Sequence, residues 1–496
     1  MSRRARNGPL PAVVLGGGIA GLAAARLLLR HYARVIVLER DHRPEVASPE
    51  DAFSGWERPG VPQFRHSHAF LARLRVALLA HLPDVLDRLR AAGVAELGMD
   101  QIAPPGVVLA SRSDDEDVVL LACRRTTFEW ALHRSVVERP GIELREGAMI
   151  AGLVGESRNG GRPVVTGVRL ADESVIPAAL VVDATGRRSR APEWLVSLNA
   201  PLPYERTYET GIFYYTRFYR ARRARAPRGT TGLVAGDLGW VKLAIFPGDN
   251  DTFSITVGAP VDEPRFKGLS EPDRFEDFVQ AFPSLAPWRK GAASEPIAGA
   301  ETPVLVMGQL RNRMRHYVDH NGSSLVTGFV AIGDSAYHSN PIYGRGAPSG
   351  LVQAVLLDEA LERHPRDPRA MARHLHRRSE AEVRPYWEAA VAGDRRTRGD
   401  RRGLQLTNPL AFLVGVAEQA FGWFVDRALV PATRVDPIVF RGLMRVFNML
   451  DPPEQLLRDP ELLLRALPVL ARVLRGDEPL QPFANVPRAS ALARLG

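Results

Sequence analysis

Three glycines open the chemistry of this sequence. They stand as Gly16-x-Gly18-x-x-Gly21, just after the apolar run Val13-Val14-Leu15. Gly16 permits a tight turn after a strand. Gly18 lets the backbone approach a pyrophosphate without a Cβ in the way, and Gly21 lets helix and strand pack closely. Ile19 and Ala20 then supply the first amides of a helix, where unpaired N–H groups and the helix dipole favour an anion. Glu39 follows Gly21 by eighteen residues, at the end of the next apolar run, with Arg40 beside it. A carboxylate there accepts the hydroxyls of an adenosine ribose and disfavours a 2′-phosphate, which points to FAD or NAD.

Two later segments carry related chemistry. Val181-Val-Asp183-Ala-Thr-Gly186 reads as a buried strand that delivers Asp183 to a Thr-Gly turn. Ala331-Ile-Gly-Asp334 repeats the pattern and leads through Pro341, Gly344 and Gly346 into a long helix from about Ala347. Asp334 there suits a ribityl hydroxyl, and the helix start suits a developing anion.

The elements that must place these residues follow from hydrophobic patterning. Residues 11–40 read as strand, glycine turn, helix and strand, the βαβ unit of a buried parallel sheet. The same stretch, after Met1-Ser-Arg-Arg-Ala-Arg6, imitates a signal peptide, but Arg26 interrupts it and Glu39 completes the motif. Residues 41–62 read as a loop rich in Pro, Gly and Ser, with a helix from about His66 to Leu79. Aromatic and polar residues alternate over Thr210–Tyr219, as in an antiparallel sheet laid over the nucleotide domain. Residues 355–475 read as helical, and Leu404–Leu450 is notably apolar and aromatic. The fold class is α/β: a Rossmann-like dinucleotide-binding domain, an interleaved antiparallel sheet and a helical C-terminal region. The expected domains are 8–199 with 311–365, carrying a loop and helix insertion at 60–120; 200–310 for substrate; and 366–496.

In combination, these motifs resemble the FAD-dependent monooxygenases of the para-hydroxybenzoate hydroxylase type. Gly60-Val-Pro-Gln63-Phe-Arg-His66-Ser-His68, Leu121-Ala-Cys-Arg-Arg125-Thr-Thr-Phe-Glu-Trp130 and Asn312-Arg-Met-Arg-His-Tyr317 are similar to the polyether-antibiotic epoxidase branch. The resemblance implies a Rossmann-like FAD-binding domain of the glutathione-reductase type, with the 60–120 insertion near the flavin, in which Gly16, Gly18, Gly21 and Glu39 hold the ADP half of FAD. Arg125 would lie near its phosphates, the Ile150 backbone at adenine, and Asp334, Gly344 and Gly346 toward the ribityl chain and ring. It implies monooxygenation of an electron-rich ring or alkene through a flavin C4a-hydroperoxide, on a polyketide- or isoprenoid-like molecule. NAD(P)H is the expected electron source, directly or through a separate flavin reductase. The Trp-x-Trp-x-Ile-Pro signature and early lysine of the related halogenases are absent.

Arg58, Gln63, His66 and His68 are candidates to line the flavin, although no side-chain nucleophile is required. His66 and His68, two apart at a helix start, do not share a face, and no metal site is expected. Tyr214, Tyr215 and Phe218 are candidates for the substrate pocket. Cys123, the only cysteine, reads as an inert core thiol and excludes an intramolecular disulfide.

The 496 residues include 65 basic and 56 acidic ones, a net charge of +9. Only Lys242, Lys267 and Lys290 are lysines, so the basic excess is arginine spread along the chain, denser at Arg220–Arg228 and Arg395–Arg402. Solvated faces are the expected reading, without nucleic-acid binding; a peripheral membrane contact stays open as a partner. A cytoplasmic protein is expected. Two other functions compete: an FAD-dependent reductase of isoprenoid double bonds, and a non-catalytic basic protein that binds membrane or nucleic acid.

Overall fold

The structure is a computed structural model and describes residues 9–157, 161–222, 234–289, 293–297, 303–398, 420–477 and 486–495. Four short apolar strands start the architecture: β1 (Ala12–Leu15), β2 (Val35–Leu38), β3 (Ile142–Arg145) and β4 (Leu180–Asp183). The chain leaves this layer for the long strands β5 (Ile212–Ala221) and β6 (Thr252–Pro260), then returns as β7 (Phe329–Ala331). The order β7-β4-β1-β2-β3 is parallel throughout. β1, β2 and β4 are buried along their length, which is why they read as unbroken apolar runs.

Helices cover this sheet. α1 (Ile19–Leu28) follows the glycine turn, α2 (Arg125–Val137) packs beside it, and α3 (Gly346–Arg363) crosses α1 closely. Their apolar faces share one core with β1 and β2 (Leu22, Leu28, Phe128, Leu132, Leu351, Leu357). Gly350 makes the α1–α3 approach possible, since a Cβ there would lie 3.0 Å from the Ala20 Cβ.

β5 and β6 pair antiparallel over nine register positions at the centre of a second, antiparallel sheet. One face of that sheet is covered by the helix Pro272–Gln280 and a phenylalanine-rich core (Phe253, Phe266, Phe275, Phe278, Phe282). The other face turns toward the nucleotide layer.

The structure departs from the sequence reading in four places. The stretch 41–62 contains a helix, Pro49–Gly55, whose N-terminal signal is local: the Ser48 side chain accepts from the Asp51 amide. The helix expected from His66 begins only at Ala72, because the preceding residues are tied to strands instead: His66 bonds Thr216, Ser67 bonds Ser254 and Thr256, and Phe70 is bridged to Leu121. Arg311–His316 pairs with Tyr204–Glu209 in a small separate sheet. The C-terminal region is not one body. α4 (Pro368–Glu382) packs on α3, α5 (Arg384–Thr397) follows it, and Ala491, Leu492 and Leu495 return to the phenylalanine core of the antiparallel sheet. Residues 404–419 of the apolar stretch Leu404–Leu450, the arginines at 223–228, and Arg401 and Arg402 lie outside the described residues. Among the described residues no helix is long and apolar enough to cross a membrane.

Candidate functional site

Every chemically marked turn sits at a carboxyl end of the parallel sheet. Gly16 follows β1, Glu39 follows β2, the Thr185-Gly186 turn follows β4, and Gly333-Asp334 follows β7. Ligands of open α/β sheets bind at these ends, because the loops there diverge and the next helices point their N-termini inward. A cavity of about 450 Å³ occupies the place, a size suited to a small-molecule cofactor.

The cavity wall collects residues from the whole chain. Gly16, Gly18, Ile19, Ala20, Glu39 and Arg40 come from the first βαβ unit. Arg58, Gln63, His66, His68, Arg125, Ile150 and Gly186 come from the middle, and Asp334, Pro341, Gly344 and Gly346 from the last turn. Gly16 has φ +96°, and a Cβ there would sit 2.6 Å from the Ala184 carbonyl oxygen. A Cβ at Gly18 would meet no protein atom within 4 Å, so this cradle opens directly onto the cavity. Neither α1 nor α3 has a side-chain cap or an acid in its first turn, which leaves their leading amides free for an anion. The Arg187 Nε on the cavity wall is buried and has no hydrogen-bond partner among the described residues. Open cradle, free amides and orphaned donor all suit a dinucleotide with phosphates.

Glu39 is 5 % exposed. Its Oε2 accepts from the Gly17 amide at 2.8 Å and pairs with Arg58; among the described residues its Oε1 accepts only from the Asp41 amide, at 2.9 Å. Oε1 thus retains acceptor capacity for a ribose hydroxyl. Burial raises the Asp334 carboxyl, but His338 and Arg125 outweigh it and hold the group below the ordinary carboxylate range.

The histidines act as neutral walls. Burial, with Arg187 nearby, lowers His66 to about 4, and burial with Arg125 lowers His68 to about 3. His66 Nδ1 bonds Thr216 Oγ1 at 3.1 Å, across to the antiparallel sheet. His68 Nδ1 lies 2.9 Å from the His66 carbonyl and so must donate to it; Nε2 then accepts from Arg125 at 2.9 Å. Arg125 is held on its other side by Glu129 at 2.7 Å.

Several residues stand elsewhere than the sequence suggested. Arg58 lines the cavity, but its guanidinium is consumed by Glu39 and Glu129, so it braces the wall instead of presenting a free charge. Asp183 is fully buried and does not line the cavity. It accepts from the Thr185 amide and hydroxyl at 2.9 and 2.6 Å, and from Ser189 and Ser335, which fixes the turn. Gly21 packs against Gly16 behind the wall. Tyr215 belongs to the phenylalanine core on the far face of the sheet. Tyr214 packs with Met307 and Leu310 and donates to Asn340, one layer behind the cavity. Phe218 meets Phe53 edge-on at 5.4 Å and lines a separate cavity of about 10 Å³. Met307 and Leu310 form the apolar wall in their place. The cause is strand alternation: Tyr214, Thr216 and Phe218 share one face of β5, and loop residues from the nucleotide layer cover it.

Glu129 escaped the sequence reading. It is fully buried and joins Arg58 to Arg125. Its position four residues after Arg125 on a helix was the available signal. The fold also brings His316, His376 and Glu380 within ligand distance of one another, where no metal was expected, although Glu380 is already engaged by Tyr337 and Arg384. Arg220 and Arg222, of the basic run, pair with Glu50 and Glu295. Cys123 is buried, and desolvation pushes its thiol up, as befits an inert core group.

The model of the NAD(P)-binding Rossmann-like domain matches residues 14–75. A protein of Mycobacterium tuberculosis (strain ATCC 25618 / H37Rv), Protein Rv3254, is 26% identical over 473 residues, 91% of this chain and 92% of that protein. PqsL of Pseudomonas aeruginosa, a probable FAD-dependent monooxygenase, superposes with TM-score 0.54 at 18% identity, covering 82% of this chain and 99% of PqsL. A variant of 2-methyl-3-hydroxypyridine-5-carboxylic acid oxygenase superposes with TM-score 0.53 at 16% identity, covering 82% and 96%. The chain therefore has the fold of these flavin monooxygenase structures.

Proposed function

We propose that this protein is a FAD-dependent monooxygenase that transfers one oxygen atom from O₂ to a hydrophobic small molecule, with NAD(P)H as the source of electrons. The observation that carries the reading is convergence: the open Gly18 cradle, Glu39, Asp334 and two uncapped helix starts meet on one cavity.

FAD, when bound, supplies the reaction with O₂ and the transferable oxygen; the chain binds, orients and shields. The α1 amides and Gly18 would take the pyrophosphate, Glu39 Oε1 a ribose hydroxyl, and Asp334 the ribityl chain. The α3 N-terminus, at Gly346 and Ala347, would face the negative charge of the reduced ring. Met307 and Leu310 offer an apolar wall to the substrate and help exclude water. His66 and His68 stay uncharged at neutral pH and keep that region from attracting ions. Epoxidation or hydroxylation of a polyketide- or isoprenoid-like molecule is the finer reading, supported by the motif resemblance.

The test begins with colour. Purified protein should carry the visible absorbance of oxidised FAD, Gly18→Val should be colourless, and Asp334→Ala should lose flavin on dilution. NAD(P)H-driven O₂ uptake that rises with an apolar alkene substrate separates a monooxygenase from a double-bond reductase, which would turn over with O₂ excluded. If both variants retain FAD like the unmodified protein, the assignment of the site is wrong.

A further inference from the structure

The helix α6 (Pro460–Arg475) presents a face that stays exposed among the described residues. Its inner side, with Leu462, Ala466 and Val469, packs against Ala428, Leu429, Ala432 and Val439. Its outer side is not polar. Leu464, Leu467 and Leu474 are 66%, 48% and 63% exposed. At about 100° per residue these three fall within roughly a quarter of the helix circumference. Ala471 lies in the same stripe and is also exposed.

Arginines border this ridge along one edge. Arg465 is paired, with Glu461 at 2.9 Å and Asp436 at 3.2 Å. Arg472 and Arg475 have no carboxylate partner among the described residues; Arg475 Nε donates only to the Ala471 carbonyl, at 3.2 Å. The helix carries three arginines against one glutamate. An apolar stripe with cationic side chains at its border is the pattern of a helix that lies in a bilayer interface: leucines enter the acyl boundary and guanidiniums meet lipid phosphates.

We infer that α6 docks this protein on an anionic membrane surface, with Leu464, Leu467 and Leu474 inserted and Arg472 and Arg475 on the headgroup phosphates. The unpaired arginines favour lipid over a second copy of the chain, whose equivalent helix would bring like charges together. Such docking would set the enzyme where hydrophobic molecules partition, yet it stands on the helix alone and not on the flavin reading.

Co-sedimentation of the full-length protein with lipid vesicles tests it. The protein should bind vesicles of phosphatidylglycerol with phosphatidylethanolamine, ignore vesicles of phosphatidylcholine alone, and release as salt rises. Leu464→Glu with Leu467→Glu should abolish binding. Arg472→Gln with Arg475→Gln should lower the partition coefficient roughly 30-fold, at about fivefold per arginine. All four side chains are on the surface, so both variants should keep the unmodified melting temperature. The inference is overturned by no binding to the anionic vesicles, by equal binding to both vesicle types, or by variants that bind like the parent. A dimer that the leucine variant dissolves, in a protein that ignores vesicles, would instead make the ridge a contact between copies.

Discussion

Gly18 and Gly21 are the same amino acid used for opposite reasons. A Cβ at Gly21 would stand 1.9 Å from the Gly16 carbonyl oxygen, a collision within the protein; one at Gly18 would intrude only on whatever occupies the cavity. Gly18→Val should thus remove cofactor while sparing the fold, whereas a side chain at Gly21 breaks the turn itself. Burial and charge act as sharply on the ionisable residues. Burial raises Glu129, and Arg125 and Arg58 more than reverse it, to about 2, so the buried carboxylate stays ionised between two guanidiniums. His66 and His68 go the other way, to about 4 and about 3 from an ordinary 6.5. Their folded forms refuse protons that the unfolded chain accepts. The pair should therefore cost stability progressively as pH falls from 6.5 toward 4, with no such cost above 6.5. Denaturant midpoints across that window read the effect. The double variant His66→Asn, His68→Asn should flatten the slope; an unchanged slope would show that other groups set it.

At the scale of elements, helix starts and the turns before them build the site. The short helical turn Pro341–Tyr343 ahead of α3 is held from behind by α5. Asp394 accepts from Asn312 at 2.7 Å, Asn340 at 2.8 Å and Tyr343 at 3.2 Å, while Asn340 Oδ1 takes the Ile342 amide and the Tyr214 hydroxyl. Asp394→Asn keeps the shape but sets an NH₂ where donors already point. An unmet buried donor costs about 1–3 kcal/mol, so thermal unfolding should shift down by a few degrees and flavin should bind more weakly. A variant with the parent's melting temperature and flavin affinity would remove Asp394 from the support of this turn. The element scale is also where the sequence reading of β5 went astray. Alternation of aromatic and polar residues marked the strand correctly, but alternation is symmetric and does not say which face meets a cavity.

At the scale of the molecule, the nucleotide layer and the antiparallel sheet must hold their spacing for a cavity to exist between them. Asp249, fully buried just before β6, fastens the two. It accepts from the Arg124 amide at 2.8 Å, the Arg124 guanidinium at 2.7 Å and Thr127 at 2.9 Å, all at the start of α2. His66 with Thr216, and Ser67 with Ser254 and Thr256, add hydroxyl bonds along the same seam. Asp249→Ala leaves the Arg124 charge in a dry site facing Glu50 alone, and breaking such a pair costs about 3–5 kcal/mol. Chemical denaturation should show a loss of that order, with flavin released before global unfolding. A loss below about 1 kcal/mol would mean that the seam is held by apolar packing instead.

The sequence alone was sufficient for the glycine turn, the strand and helix around it, Glu39, and the late Gly333-Asp334 turn that opens α3. Each depends on neighbours a few residues away: sterics at Gly16, free amides at a helix start, an apolar run long enough to bury. Only the tertiary structure decided that Arg58 spends its charge on Glu129, 71 residues away, that Asp183 braces a turn instead of touching a ligand, and that Met307 and Leu310 replace Tyr214 and Tyr215 on the cavity wall. Those outcomes follow from which distant groups meet in a water-poor interior, where a buried charge takes the nearest opposite charge and strand register selects the face. No local pattern in the chain encodes either choice.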